Sequence, residues 1–296
     1  MGVLVNQALP ASLTAIRPHH WAKNLLVFSP IILGHRMDDS ETWKSASICF
    51  LSFSMFASFV YILNDLLDRN SDRGHATKRL RPIASGRISR LQAGMIAALL
   101  LSGGVGSALY LPQPARLAIV GYVVSATVYS AWAKSLAVVD VLLLGSFYTM
   151  RVIAGGAATD IPISPWTLAF CMFLFLSIAL AKRYVEVERH GPNDRRGYRP
   201  EDSRALFALG IGSGLMAVQV LALYIYSPEV RSIYSRPEIL WLMCPVVLYW
   251  IAHMWVVAGR GELADDPLIF ALRDSSSYAA GACAVAVLLA AKFMER

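Results

Sequence analysis

Long apolar runs recur along almost the whole chain, broken at fairly regular intervals by short polar stretches. Runs of roughly 17–25 apolar residues have the length at which a helix crosses the hydrocarbon of a bilayer. About nine such spans are predicted, near 22–36, 43–65, 91–111, 115–133, 137–158, 165–186, 204–226, 238–258 and 276–294. Proline and glycine mark the joints: Pro112 and Pro114, Pro162 and Pro165, Pro192 and Pro200, Pro228 and Pro237, Gly259 and Gly261. No polar segment is long enough to fold independently. Residues 1–296 are therefore expected to form one all-α, polytopic membrane domain.

Composition narrows this further. Of the 296 residues, 56% are hydrophobic and 16% are charged, whereas globular domains run near ~45–50% and ~25%. That excludes an ordinary soluble domain and makes the lipid bilayer an obligatory partner. Residues 1–16 lack the basic start, apolar core and small-residue site of a cleavable signal. Cys49, Cys171, Cys244 and Cys283 are far apart and sit in apolar runs, so they read as small core residues.

Charge then orients the spans. The net charge of +7 is concentrated in a few loops. The loop after the second span carries Arg69, Arg73, Lys78, Arg79, Arg81, Arg87 and Arg90, and the loop after the sixth carries Arg189, Arg195, Arg196, Arg199 and Arg204. Alternate loops are different: 36–44 is mostly acidic and 159–165 has no cation. Excess Lys and Arg mark the cytoplasmic face. The amino terminus, the long polar loops and a polar cavity are thus expected on the cytoplasmic side of the inner membrane. These cations need no nucleic-acid partner, and none is expected. The sequence leaves open a homo-oligomer.

Topology does not account for the acids. Asn64, Asp65, Asp68 and Asp72 end the second span, and the aspartates have the i, i+3, i+7 spacing of one helix face. Like charges so placed repel unless a cation lies among them. Magnesium takes oxygen ligands, commonly one or two carboxylates together with phosphate oxygens. Asn64, Asp65, Asp68 and Asp72 are therefore candidate ligands for Mg2+ bound with a diphosphate. The alternative is a solvated helix end whose acids pair with Arg69 and Arg73. Ionisable groups beside a bilayer are rare and usually functional, which favours the metal. Lys78, Arg79 and Arg81 follow six to nine residues after Asp72 and suit phosphate oxygens, Arg bidentately and Lys as a point charge.

Further charges interrupt apolar surroundings. They are Lys23 and Asn24 in Arg17-Pro-His-His-Trp-Ala-Lys23-Asn24, Tyr129 and Lys134 at a cytoplasmic helix end, and Arg151 within 137–158 beside Tyr148 and Gly155-Gly156. A fourth set is Lys182, Arg183, Tyr184 and Glu186. Interfacial anchoring is the plain alternative for the first two sets, and an i,i+4 pair of Lys182 with Glu186 for the last. Arg151 has no carboxylate within one helical turn in sequence. It is expected to face a polar cavity, with a phosphate as its natural partner. The stretch from Asp265-Asp266-Pro267 to Arg273-Asp274 reads as a helix boundary. No nucleophile elbow, Walker loop or dinucleotide-binding glycine pattern is present.

With these residues in view, the chain resembles the UbiA superfamily of intramembrane prenyltransferases over essentially its whole length. The resemblance is carried by Asn64-Asp65-x-x-Asp68-x-x-x-Asp72 and by Lys78-Arg79-x-Arg81-Pro-Ile-Ala-Ser-Gly86. It implies a helical bundle around a polar cavity and a magnesium–diphosphate site at Asn64, Asp65, Asp68 and Asp72. Most members carry a second aspartate-rich motif near the sixth helix, where this chain has Lys182-Arg183-Tyr184-Val-Glu186. Together with Arg17 to Asn24 and Arg151-x-Ile-Ala-Gly-Gly156, that departure is more similar to the decaprenyl-phosphate phosphoribosyltransferase branch.

The resemblance implies transfer of 5-phosphoribose from phosphoribosyl diphosphate (PRPP) to a polyprenyl phosphate, in the manner of lipid precursors of cell-wall sugars. Asp65, Asp68 and Arg151 are the residues expected at the chemistry. Lys23, Asn64, Lys78, Arg79, Arg81, Tyr129, Lys134, Lys182, Arg183, Tyr184 and Glu186 are expected to hold the two polyanionic substrates. A prenyltransferase acting on an aromatic or other acceptor is the alternative. A transporter or lipid-binding protein fits less well, since a polar site on one face argues against alternating access.

Overall fold

A computed structural model describes residues 10–74, 78–190, 197–263 and 266–294, all in helices and their connections. The chain divides into two compact units, Met1–Ala133 with Met150–Ile163, and Lys134–Thr149 with Ser164–Arg296.

In the first unit, α1 (Ala11–Ile16) leads into a 3-10 stretch, Pro18–Phe28, and then α2 (Ser29–Leu33). The central helix is α3 (Ser40–Leu67), followed by α4 (Arg69–Arg73), α5 (Arg90–Ala108) and α6 (Gln113–Ala131). The second half of α7 (Val139–Thr159) completes the unit. Helix α3 starts sharply because the Asp39 carboxylate accepts from the N–H groups of Glu41 and Thr42 at 3.1 and 3.4 Å. At 28 residues it is about 42 Å long, longer than the ~30 Å hydrocarbon layer. Its last turn, with Asn64 and Asp65, can therefore reach past the apolar layer. Helices α1, α5 and α6 and the 3-10 stretch pack on α3. Ala15, Ile62, Ile83, Ile88, Ala93 and Ala97 form the core beneath that acidic end.

The second unit holds the first half of α7, then α8 (Pro165–His190), α9 (Ser203–Tyr226) and α10 (Pro228–Ile233). A 3-10 turn, Pro237–Leu242, precedes α11 (Met243–Gly259), α12 (Pro267–Ala271) and α13 (Ser275–Phe293). Helices α8 and α9 lie closely side by side. Helix α11 also packs on α9, and that approach depends on a missing side chain, because a Cβ on Gly210 of α9 would lie 2.0 Å from the Trp255 ring of α11. The Trp255 indole donates to Ser177 Oγ (3.0 Å), and that hydroxyl donates to the Gly210 carbonyl (2.7 Å).

Seven described helices are long and apolar enough to cross a membrane, against about nine spans expected. The expected span 115–133 is helical as α6, but it carries Arg116 in its first turn and does not join the seven. The expected span 22–36 is the 3-10 stretch running into α2. Pro18 starts that stretch and Pro30 falls within the transition, where a ring in place of an N–H disfavours one continuous α-helix.

Candidate functional site

The acidic motif does not lie on one uninterrupted helix. Helix α3 ends at Leu67, Asp68 is its C-cap, and α4 begins at Arg69. The chain stays nearly helical through the break: the Asp68 N–H donates to the Asn64 carbonyl and the Asp72 N–H to that of Asp68, both at 2.8 Å. Asp65 and Asp72 turn inward and are only 2% and 1% exposed. Asp68 and Asn64 are half-buried.

Two arginines from distant parts of the chain hold the buried pair. Arg81 Nη1 bridges the carboxylates, donating to Asp65 Oδ1 at 3.1 Å and to Asp72 Oδ2 at 2.8 Å. Arg17 Nη2 reaches both oxygens of Asp65, at 2.8 and 2.7 Å, and its guanidinium lies over the Tyr61 ring. Arg69 and Arg73, the alternative partners considered for these acids, donate instead to the carbonyls of Ile83 and Ala84. Arg17 is left-handed, with φ 55° and ψ 59°. That backbone is uncommon for a residue with a side chain and costs on the order of 1–3 kcal/mol. It lets the chain turn from α1 into the 3-10 stretch and brings the guanidinium to Asp65.

This arrangement suits a hard cation. The Asp72 Oδ1 atom is buried and has no hydrogen-bond partner, which leaves a carboxylate oxygen ready for one. Asp65 and Asp72 already bracket one positive group, the Arg81 guanidinium. Among the described residues no three His, Cys, Asp or Glu side chains form a ready cage. Magnesium needs only one or two carboxylates when phosphate oxygens supply the rest, so the donor set fits.

A second network in the same unit contains Arg151. Its Nε donates to Asn24 Oδ1 at 2.7 Å and its Nη2 to Tyr122 Oη at 3.3 Å, while Asn24 Nδ2 donates to Ser54 Oγ at 3.0 Å. The guanidinium lies 4.8 Å from the Tyr122 ring centroid and 5.8 Å from that of Phe53. Arg151, expected to meet a phosphate, is buried and ties α7 to the 3-10 stretch that carries Lys23. A Cβ on Gly155 would lie 2.1 Å from the Val27 carbonyl oxygen. Glycine at that position is what allows the two segments to touch.

In the second unit, Arg183 and Asp140 form a side-on pair, Nε to Oδ2 at 2.7 Å and Nη2 to Oδ1 at 2.9 Å. Arg183 Nη1 donates to Glu186. The pair is sealed, with Arg183 1% and Asp140 0% exposed. The Tyr198 ring flanks the guanidinium, and its Oη accepts the Val138 N–H at 2.9 Å. Burial raises the Tyr198 hydroxyl above its usual pKa. Val138 itself has φ 69°, a rare state for a β-branched residue, and it begins the turn that places Asp140.

The remaining candidates are dispersed. Lys23 is buried, Lys78 is half-buried in the turn Lys78–Leu80, and Arg79 is exposed. Tyr129 and Lys134 are half-buried at and just beyond the end of α6. Lys182 Nζ lies 3.9 Å from Asp266 Oδ2, and Asp266 caps α12 by accepting from the Leu268 N–H at 3.2 Å. Tyr184 packs with Phe207 and Trp255. His75, Ala76 and Thr77 within the motif, Pro192, Arg195 and Arg196 in the sixth loop, and Asp265 lie outside the described residues.

Sequence reasoning missed the direct role of Arg17 at Asp65 and missed Asp140 altogether. Asp140 had a signal, being an acid inside the expected span 137–158 with apolar neighbours Val139 and Val141.

The fold and this acid–arginine site can now be set against known proteins. The model of the UbiA prenyltransferase family matches residues 27–273, and the chain belongs to that family. A decaprenyl-phosphate phosphoribosyltransferase of Mycobacterium tuberculosis is 34% identical over 268 residues, covering 88% of this chain and 87% of that protein. An uncharacterized protein of Sinorhizobium fredii is 36% identical over 276 residues, covering 91% of this chain and 54% of that protein. The chain thus spans about half the length of the Sinorhizobium relative. A solved UbiA homolog from Archaeoglobus fulgidus, bound to GPP and Mg2+, superposes with a TM-score of 0.73 over 94% of this chain and 99% of that one. At 18% identity, that likeness is one of fold.

Proposed function

We propose that this chain transfers the 5-phosphoribosyl group of PRPP to a polyprenyl phosphate, with residues 1–296 acting as one transferase domain on the cytoplasmic side of the inner membrane. The observation that carries the reading is the buried pair Asp65 and Asp72, with its unpartnered oxygen and its two arginines. The named relative at 34% identity and Lys182, where most members have acids, support PRPP as donor.

Asp65, Asp72 and Asp68, with Asn64, would hold Mg2+. When bound, the ion supplies charge neutralisation at the leaving diphosphate. Arg81, Lys78 and Arg79 take diphosphate oxygens. The bond from the anomeric carbon to the diphosphate oxygen breaks, and a phosphate oxygen of the lipid forms the new bond. That oxygen is already anionic, so no side chain has to remove a proton. Lys23, Lys134 and Lys182, together with Tyr129 and Tyr184, are the residues proposed to bind the 5-phosphate and the lipid phosphate. Arg151 keeps the Lys23 segment in place.

The test is diphosphate release from PRPP by the purified chain. Release that requires both polyprenyl phosphate and magnesium supports the reading. Turnover of a prenyl diphosphate with an aromatic acceptor, and none of PRPP, replaces it with the ordinary prenyltransferase reading. An Asp68→Asn variant that keeps full activity removes Asp68 from the metal set.

A further inference from the structure

We propose that Arg17 and Arg81 keep the acidic pair closed to a free divalent cation and yield it only to a cation that arrives with diphosphate, which makes Arg17 a donor-site residue. The proposal rests on the reading above only in taking a diphosphate as the leaving group.

Among the four hydrogen-bonded groups the charges already balance, with two carboxylates, Asp65 and Asp72, against two guanidiniums, Arg17 and Arg81, while Asp68 is half-buried at the end of α3. A divalent cation added alone would leave excess positive charge where Asp65 and Asp72 are almost completely buried. Uncompensated charge there is strongly disfavoured. Asp65, Asp72 and Asp68 are not arranged as a ready three-acid cage among the described residues, so a lone ion would also have too few ligands in place. A diphosphate supplies both things, since its negative charge cancels the excess and its oxygens fill the coordination shell.

The arginines are placed to make the exchange. Both are partly exposed, Arg17 by 19% and Arg81 by 25%, and guanidinium groups bind phosphate oxygens as well as they bind carboxylates. As the diphosphate draws them off, the oxygens of Asp65 and Asp72 become available beside Asp72 Oδ1, which has no hydrogen-bond partner. The left-handed turn at Arg17 and its ring contact with Tyr61 keep its side chain close to the pair during the exchange.

Equilibrium dialysis of the full chain in detergent, with Mn2+ as the probe, tests this without turnover. The expected result is little retained Mn2+ without diphosphate, and at least about tenfold tighter apparent retention with inorganic diphosphate. Equal retention with and without diphosphate overturns the proposal. Arg17→Gln and Arg81→Gln should each raise retention of free Mn2+. Folded variants that retain no more than wild type overturn it as well. If either variant fails to fold, the wild-type comparison still decides. A chain that shows this metal behaviour but does not use PRPP breaks the functional reading alone. One that uses PRPP yet retains free Mn2+ breaks this inference alone.

Discussion

Each unit buries aspartate against arginine, but the two clusters are built differently. At Asp140 and Arg183 the guanidinium is sealed from solvent, and Nε, Nη1 and Nη2 all meet carboxylate oxygens. At Asp65 and Asp72 the acids are as deeply buried, yet their arginines stay partly in contact with solvent and Asp72 Oδ1 has no partner. A satisfied buried pair resists any exchange, because each partner left behind becomes an uncompensated charge. An incompletely satisfied pair with exposed counter-ions can trade them. Arg183, expected from the sequence to bind a substrate phosphate, has its guanidinium held by Asp140 and Glu186, and by this contrast we propose that it braces the turn at Val138. The pair in the first unit is the one proposed above to meet the donor's diphosphate.

The contrast breaks most directly at Asp140. Asp140→Ala leaves the buried Arg183 with Glu186 as its remaining carboxylate partner and should destabilise the fold by about 3 kcal/mol, read as a large drop in melting temperature or loss of folded protein. The matching change, Asp65→Asn, releases two arginines that can turn to water. It should leave most of the protein folded while diphosphate release falls by about 10²–10³-fold. Equal thermal stability for the two variants would erase the distinction.

A third variant probes packing within the first unit. Gly155→Ala puts a methyl against the Val27 carbonyl oxygen and should cost about 1–3 kcal/mol. It should also raise KM more than it lowers kcat, because the Lys23–Asn24 segment shifts while Asp65 and Asp72 remain in place.

The smallest effect is expected at Asp39, a surface acid unlike either cluster. Its hydrogen bond from Arg36, at 2.7 Å, and those from Thr42 lower its pKa from 3.8 to about 2. A depressed folded-state pKa contributes stability above the unfolded value that is lost as pH falls through the folded one. Wild type should therefore lose part of its advantage over Asp39→Asn between about pH 4 and pH 2. Thermal melts of both proteins across that window measure it, and a constant difference would remove Asp39 as a titrating cap.

Apolar periodicity alone determined the class of this protein and most of its helices. The expected spans 43–65, 137–158, 204–226 and 276–294 lie within about three residues of α3, α7, α9 and α13. A run that must fill a bilayer has few other conformations available. The acidic motif was legible for the same reason, since charges at a membrane boundary stand out against their neighbours. The stretch 22–36 misled because apolar length does not distinguish a straight helix from a 3-10 segment broken by Pro30.

Partner choice was decided only by the tertiary structure. In sequence Asp65 lies close to Arg69, yet it pairs with Arg17, 48 positions away, and Asp140 pairs with Arg183 across 43. Ion pairs form between groups that folding brings within hydrogen-bond reach, and burial then decides which of them can be exchanged. Residue types and spacing encode neither.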